Sequence, residues 1–557
     1  MKVRSRCAVL MVCFGVTSLV LGACGSDDSA DPGDVPAPTE APAETGDGDG
    51  TDTTVETDPA TDVEGDASSA PSTATANTAA AAGDAELRYA LGGDWILDPV
   101  GAIGSAPSNQ VALALYDYLL RPAADGTLQP ELLTSWDSDD LVTWTLTLRD
   151  DVRFHDGTPF DADALVAHLE RARDPEVACP CGSLFALVDG IVATGSHEVT
   201  VTLTEPWAAF PSMLLATPYG YVPSPTAVAE AGADYGTLTV VGTGPYRLVE
   251  SVRGERVIVE RNDDYWGDAP SFARITFRPI PDEQTRLQSL LAGDVDIITS
   301  LQPAVVTEAV ANGLDGETFV GLGSLNIHIN MSVPPFDDID VRRALAHGVD
   351  RDALNHVVFA DGSSPSNGPL SPDSPFASGV TFPQYDPEAA RALLEGKGPI
   401  SFELAHRPDQ SSQNMAQVLQ QMWGDVGFEV VLRPIEGAQY VPSVRAGDFE
   451  VALWTGPEIL DPDALAPFFE TGGSSNLSGY SNATFDELLD RGRVESDLAA
   501  REAIYREAYG ILADEAPNVF TLLKIGALAW NDRVAQVPSP ETWGVQIVDV
   551  RNIYATP

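Results

Sequence analysis

Beyond residue 86 the apolar positions fall into two rhythms. Thr143-Trp144-Thr145-Leu146-Thr147-Leu148 and Val199-Thr200-Val201-Thr202-Leu203 place an apolar side chain at every second position, as a strand with one buried face does. Asp161, followed by Leu165, Val166 and Leu169 on one stripe, predicts an N-capped helix through Glu170. Further along, strands are expected over Ser401 to His406, Phe428 to Leu432 and Phe449 to Trp454. Between them the spacing predicts helices over Ser411 to Val426, closed at Gly427, and over Ala438 to Ala446. Strands joined by such helical crossovers build a parallel sheet, so the expected fold class is α/β. Ligands of these sheets bind beyond the carboxyl ends of the strands. That rule singles out Arg407, just past the first of the three strands, and Trp454, Thr455, Gly456 and Glu458 at the end of the third.

The first 86 residues keep neither rhythm. Lys2, Arg4 and Arg6 precede an apolar run from Cys7 to Leu21. As a helix the run would be about 22 Å long, short of a bilayer span, so it reads as an export signal. Leu21-Gly22-Ala23-Cys24 resembles the bacterial lipobox, which implies a signal peptide over 1–23 and a diacylglycerol-modified Cys24 as the exported N-terminus. Residues 24–86 then carry 16 acidic side chains with no Lys, Arg or aromatic. Such a segment cannot bury enough apolar surface to offset its chain entropy, and is expected to be a disordered tether between membrane and body.

Charge narrows the function further. The 557 residues hold 83 Asp and Glu against 31 Lys and Arg, a net charge of −52, and the part from 87 onward keeps 67 acidic against 28 basic residues. Lys occurs only at positions 2, 397 and 524, so a nucleic-acid partner, which needs clustered cations, is excluded. Catalytic patterns are missing: there is no Gly-x-Ser-x-Gly elbow, His-Glu-x-x-His pair, Walker loop or Gly-x-Gly-x-x-Gly turn, and the seven His are scattered. No enzyme activity, cofactor or metal is expected. Cys179-Pro180-Cys181 lacks a nearby third metal ligand; in an exported chain a disulfide between Cys179 and Cys181 is favoured over free thiols.

Leu141 to Phe160, which ends Arg153-Phe154-His155-Asp156-Gly157-Thr158-Pro159-Phe160, is similar to the signature of the family 5 extracellular solute-binding proteins, the peptide, nickel and oligosaccharide receptors of ABC importers. Segments in the same order as in that family follow: Gly242-Thr243-Gly244-Pro245-Tyr246, Asn262 to Gly267, Leu291-Ala292-Gly293-Asp294, Pro335-Phe336-Asp337-Asp338, Val341 to Leu345, and Asp350-Arg351. The resemblance implies a bilobal periplasmic-binding-protein-like architecture with two lobes joined by crossing hinge strands. Lobe I would span 87–324, lobe II 325–519, and 520–557 would return to lobe I. It also implies a monomer that delivers its ligand to an ABC permease. The stretch from His155 to Pro159 would be lobe architecture and not a ligand contact.

The implied ligand residues lie in lobe II. Ala405-His406-Arg407-Pro408 resembles the dipeptide-receptor segment whose Arg holds the peptide carboxylate, a task suited to a planar guanidinium. Trp454-Thr455-Gly456 resembles the start of a Trp-Thr-Gly-Asp motif whose Asp pairs with the peptide amine, but here Pro457 follows. Either Glu458 supplies the anion, or the ligand lacks a free amine. Arg407 could instead be a surface residue covering Trp423, and Trp454 could stack on ligand or pack the core. Asp461 is expected to cap a helix opening at Pro462. Together these features describe a substrate-binding lipoprotein of an ABC importer that captures a peptide or similar small solute by hinge closure. The alternatives are a sugar or metal-chelate receptor, or a signalling protein of the same fold.

Overall fold

The computed structural model describes residues 84–556 apart from positions 102–104, 124–126, 178, 367, 373, 378 and 542–543. The signal segment, Cys24 and nearly all of the acidic tether lie outside the described residues. In chain order the strands that matter here are β1 (Glu86–Leu91), β2 (Leu133–Asp137), β3 (Thr143–Leu148), β4 (Val188–Gly195), β5 (Glu198–Leu203), β6 (Tyr246–Val252) and β7 (Arg256–Arg261). They continue with β8 (Arg274–Pro279), β9 (Ile297–Ser300), β10 (Asp315–Ile329), β11 (Ile400–His406), β12 (Phe428–Pro434), β13 (Val451–Thr455) and β14 (Asn518–Trp530). Three helices concern the site or its support: α1 (Ala162–Arg173), α2 (Gln410–Val426) and α3 (Gly437–Arg445).

The period-two segments form as expected. β3 and β5 pair antiparallel with Trp144 opposite Val201 and Leu146 opposite Val199. All four side chains are buried in one core with Leu148 and Leu203. Asp161 caps α1, its carboxylate accepting the Ala164 N–H at 3.0 Å. The His155 to Pro159 stretch meets the Gly242 turn: the His155 N–H donates to Gly242 O at 2.9 Å, and its Nε2 lies 3.0 Å from Gly244 O. A Cβ at Gly242 would stand 2.1 Å from Leu115 O, so only glycine admits this approach. The two motifs thus fix the lobe's interior.

Among the described residues ten strands form one sheet in the order β12-β11-β13-β10-β14-β9-β1-β8-β7-β6. β11 runs parallel to both β12 and β13, which is the crossover pattern expected from the sequence. α2 covers this part with Met415, Ala416, Leu419, Trp423 and Val426, and stops where Gly427 turns left-handed at φ 115°. β10 and β14 pair antiparallel along their whole length, from Asp315 opposite Trp530 to His328 opposite Asn518, with irregularities between Val320 and Ser324 and between Leu325 and Asn326. Along β14, Ala527, Leu528 and Ala529 pack into cores built with β1 and β9. Val519, Leu522 and Ile525 pack into the core behind β11 and β13. Two strands therefore pass from one apolar core to the next, the two-lobed α/β arrangement with crossing strands.

Candidate functional site

The parallel neighbours β11 and β13 end side by side, which opens a site edge at their carboxyl ends. Tyr440 of α3 ties these ends together: its hydroxyl is hydrogen-bonded to Leu453 O and lies 3.3 Å from Ala405 O. Its ring is flanked by two of the residues singled out from sequence. Trp454 stacks on it with centroids 6.2 Å apart at 24°, and the guanidinium carbon of Arg407 sits 5.0 Å from its centroid. Arg407 is exposed and has no ion-pair partner among the described residues. The Trp423 indole is fully buried and donates to Leu345 O at 3.0 Å. The ring that gathers Arg407 and Trp454 went unnoticed in the sequence, where Tyr440 looks like an ordinary helix residue.

The next residues turn back toward β10. Exposed Thr455 pairs with Leu325, and the Gly456 N–H donates to Ser324 O at 2.8 Å. A Cβ at Gly456 would lie 2.9 Å from Asn326 Nδ2 and 3.1 Å from Ser324 O, so a larger residue would push the segment off β10. Glu458 does not join Arg407 and Trp454. Its carboxylate is 7% exposed, pairs with Lys524 Nζ at 3.1 Å and accepts the Gly323 N–H. An ammonium reaching Glu458 would have to displace Lys524 from an anion that is already satisfied.

Asp461 caps the turn Pro462–Leu465 by accepting the Asp463 N–H. It also forms a bidentate pair with Arg501 at 2.8 and 2.7 Å and accepts the Ser212 hydroxyl at 3.1 Å. Asp463 accepts the Trp207 indole N–H at 2.7 Å, and the Ala208 N–H donates to Arg493 O at 2.8 Å. Residues 207–212 precede the crossing strands and 461–493 follow β10 and β13. A polar seam thus joins the two sides apart from the strands themselves. No local sequence signal announces these pairs, because each partner is more than 200 positions away or sits on another element.

Beside the strand ends lies a small cavity of about 10 Å³, room for one water-sized group. Its floor is one face of the sheet, where Ser324, Asn326 and His328 of β10 alternate with their pleat and Trp454, Asn518 and Phe520 stand opposite on the neighbouring strands. Leu465, Phe468 and Phe469 close the far side, and Gly456, Pro457 and Ile459 form one wall. The His328 ring meets Trp454 edge-on at 5.6 Å and 85°. Burial pushes its pKa down to about 4, which keeps the imidazole neutral near pH 7. Elsewhere, in the core that also holds β3 and β5, the structure joins Cys179 and Cys181 in a disulfide with Cα atoms 5.0 Å apart.

Residues 127–476 match the sequence family described as bacterial extracellular solute-binding proteins, family 5 (middle). The glutathione-binding protein GsiB of Pectobacterium atrosepticum is 32% identical over 446 residues, covering 76% of this chain and 85% of that protein. The periplasmic murein peptide-binding protein MppA of Escherichia coli is 29% identical over 461 residues, covering 76% and 84%. Among solved structures, the ABC transporter substrate-binding protein CtaP of Listeria monocytogenes superposes with a TM-score of 0.77 at 23% identity, over 85% of this chain and 100% of that one. NikA of Brucella suis, solved in complex with Fe(III)-EDTA, gives 0.75 at 24% identity over 85% and 100%. The structural likeness establishes the shared bilobal fold, and the sequence match over more than half of the chain establishes descent. The chain belongs to the bacterial extracellular solute-binding proteins of family 5.

Proposed function

We propose that this solute-binding protein is the receptor of an ABC importer for a peptide-like solute whose carboxylate is held by Arg407 where β11 and β13 end. The observation that carries this reading is Arg407 itself: an exposed guanidinium, held on the Tyr440 ring beside Trp454, with no carboxylate partner among the described residues of a strongly acidic chain. A planar cation fixed in that way is ready to pair with an incoming carboxylate. Relatives at about 30% identity that bind glutathione or murein peptide support a peptide-like ligand. Capture would close lobe I (87–324 with the returning 520–557) on lobe II (325–519) about β10 and β14. Trp454 then forms a wall shared by Tyr440 and the cavity, with the exposed Thr455 and then Gly456 continuing that rim. Glu458 serves as an amine partner only for a ligand able to displace Lys524, so solutes without a free amine suit this site better. Export and attachment to the outer face of the membrane would run through lipid on Cys24, with the acidic segment as tether and a permease complex as partner.

Native mass spectrometry of the full-length protein, before and after gentle denaturation, tests the ligand class. Released peptide masses, together with calorimetric binding of short peptides that weakens in Arg407→Gln by about tenfold or more, support the reading. A single non-peptide mass with no peptide binding would overturn it. Peptide binding unchanged in Arg407→Gln would remove Arg407 from the site.

A further inference from the structure

We propose that the cavity bounded by β10, β13, β14 and residues 465–469 is a selectivity pocket for an uncharged hydrogen-bonding group of the solute, a carboxamide or a hydroxyl, and that His328 and Asn518 read that group. The inference rests on the solute-receptor reading but commits to a ligand chemistry that the family match does not supply.

The argument begins with register. His328 and Asn518 are directly opposed on β10 and β14, so their side chains leave the same face of the sheet as neighbours. Both line the cavity, with exposures of 2% and 4%. Among the described residues neither ring nitrogen of His328 has a hydrogen-bond partner, and neither does Asn518 Oδ1. Buried polar atoms are nearly always paired, so three unpartnered ones converging on one cavity mark a place where something polar is received. Asn326, two residues from His328 on the same face, is by contrast already engaged, its Oδ1 accepting the Ser324 hydroxyl at 2.7 Å.

The pattern of donors and acceptors narrows the occupant. A neutral imidazole offers one N–H and one lone pair, and Asn518 Oδ1 offers lone pairs only. The complementary group must therefore both donate and accept, which a carboxamide or hydroxyl does. A carboxylate would set its lone pairs against Asn518 Oδ1 and the bare ring nitrogen. An ammonium would enter without an anion, because no charged side chain lines the cavity. Glu458 does not line it and is held by Lys524. Trp454, Leu465, Phe468, Phe469 and Phe520 add apolar surface around a space that admits the polar tip of such a group, its stem lying outside. A glutamine, serine or tyrosine side chain of a peptide and the hydroxyls of a sugar share this chemistry.

The test uses the full-length protein labelled with ¹⁵N at histidine, the His328 signals being assigned by their loss in His328→Phe. Calorimetry with Ala-Gln, Ala-Glu and Ala-Leu, the three reversed dipeptides, the N-acetylated form of each, glucose and maltose supplies the affinities. The expected result is a shift of the His328 ring signals on binding and a preference for the Gln peptide over its Glu counterpart on the order of tenfold or more. That preference should vanish in His328→Phe while Leu-peptide affinity stays. Asn518→Leu provides the same comparison should His328→Phe fail to fold. If peptides do not bind but a sugar shifts His328, the pocket stands and the peptide reading falls. If peptides bind without preference and His328 is unmoved, the pocket holds water alone and the proposal is overturned while the peptide reading survives. No binding by any probe counts against both.

Discussion

Replacing Trp207 by Phe should open the molecule without unfolding it. Trp207 is 1% exposed and packs edge-on against Phe210 at 6.1 Å, contacts that a phenyl ring largely keeps. What is lost is the indole N–H that Asp463 accepts at 2.7 Å. Asp463 is itself buried, with Arg493 at 3.4 Å as its nearest cation, so water does not readily replace the missing donor. Losing a hydrogen bond to a charged group costs about 1.5–3 kcal/mol. In the proposed division Trp207 belongs to lobe I and Asp463 to lobe II, so this loss would fall on the contact between the lobes and not on either lobe alone. A differential of that size moves the closed-to-open ratio by about 10- to 150-fold. Small-angle scattering of the ligand-free protein reads the result: the radius of gyration should rise in Trp207→Phe, and rise less in Ser212→Ala, which removes only the 3.1 Å hydroxyl contact to Asp461. Identical scattering from wild type and a folded Trp207→Phe would show that the seam does not bias the hinge, and the reasoning would be refuted.

Two further outcomes follow from the chemistry. Burial lowers the His168 pKa to about 4 from 6.5, so as pH falls the unfolded chain binds the proton first and this residue's contribution to stability is lost between about pH 6.5 and 4. Urea unfolding should show the advantage of wild type over His168→Gln shrinking by about 3 kcal/mol from pH 7 to pH 4; a constant gap would mean that His168 does not titrate in the buried site. Cys24→Ala should move the protein from the membrane fraction to the released fraction in its native host, and retention in the membrane would refute lipid attachment at Cys24.

Much of the framework was legible because it is local. Alternation in Thr143 to Leu148, the Asp161 cap and the Gly427 stop each need only a few neighbouring residues, and the β11–α2–β12–α3–β13 run follows from their order. Arg407 and Trp454 were reachable through the rule about strand ends. What joins them was not, since Tyr440 earns its role only when α3 folds back over two strands. The cavity was hidden for a stricter reason. His328 and Asn518 are 190 positions apart, and their pairing depends on the irregularities in β10 that set its register against β14. Glu458 shows what the sequence hides: it stands one step from the position that the resemblance gives to an amine-binding Asp, and Lys524, contributed by β14, stands against it.

The route of β14 also bears on how the protein is made. β9 has β1 on one side and waits for residues 527–530 on the other. The sheet around β1 and β9 therefore keeps an open edge until residues 527–530 are in place. A chain cut short before residue 518 would present two unpaired edges, those of β9 and β10. Synthesis through β14 is thus what closes both edges at once, so one strand seals the sheet on two sides.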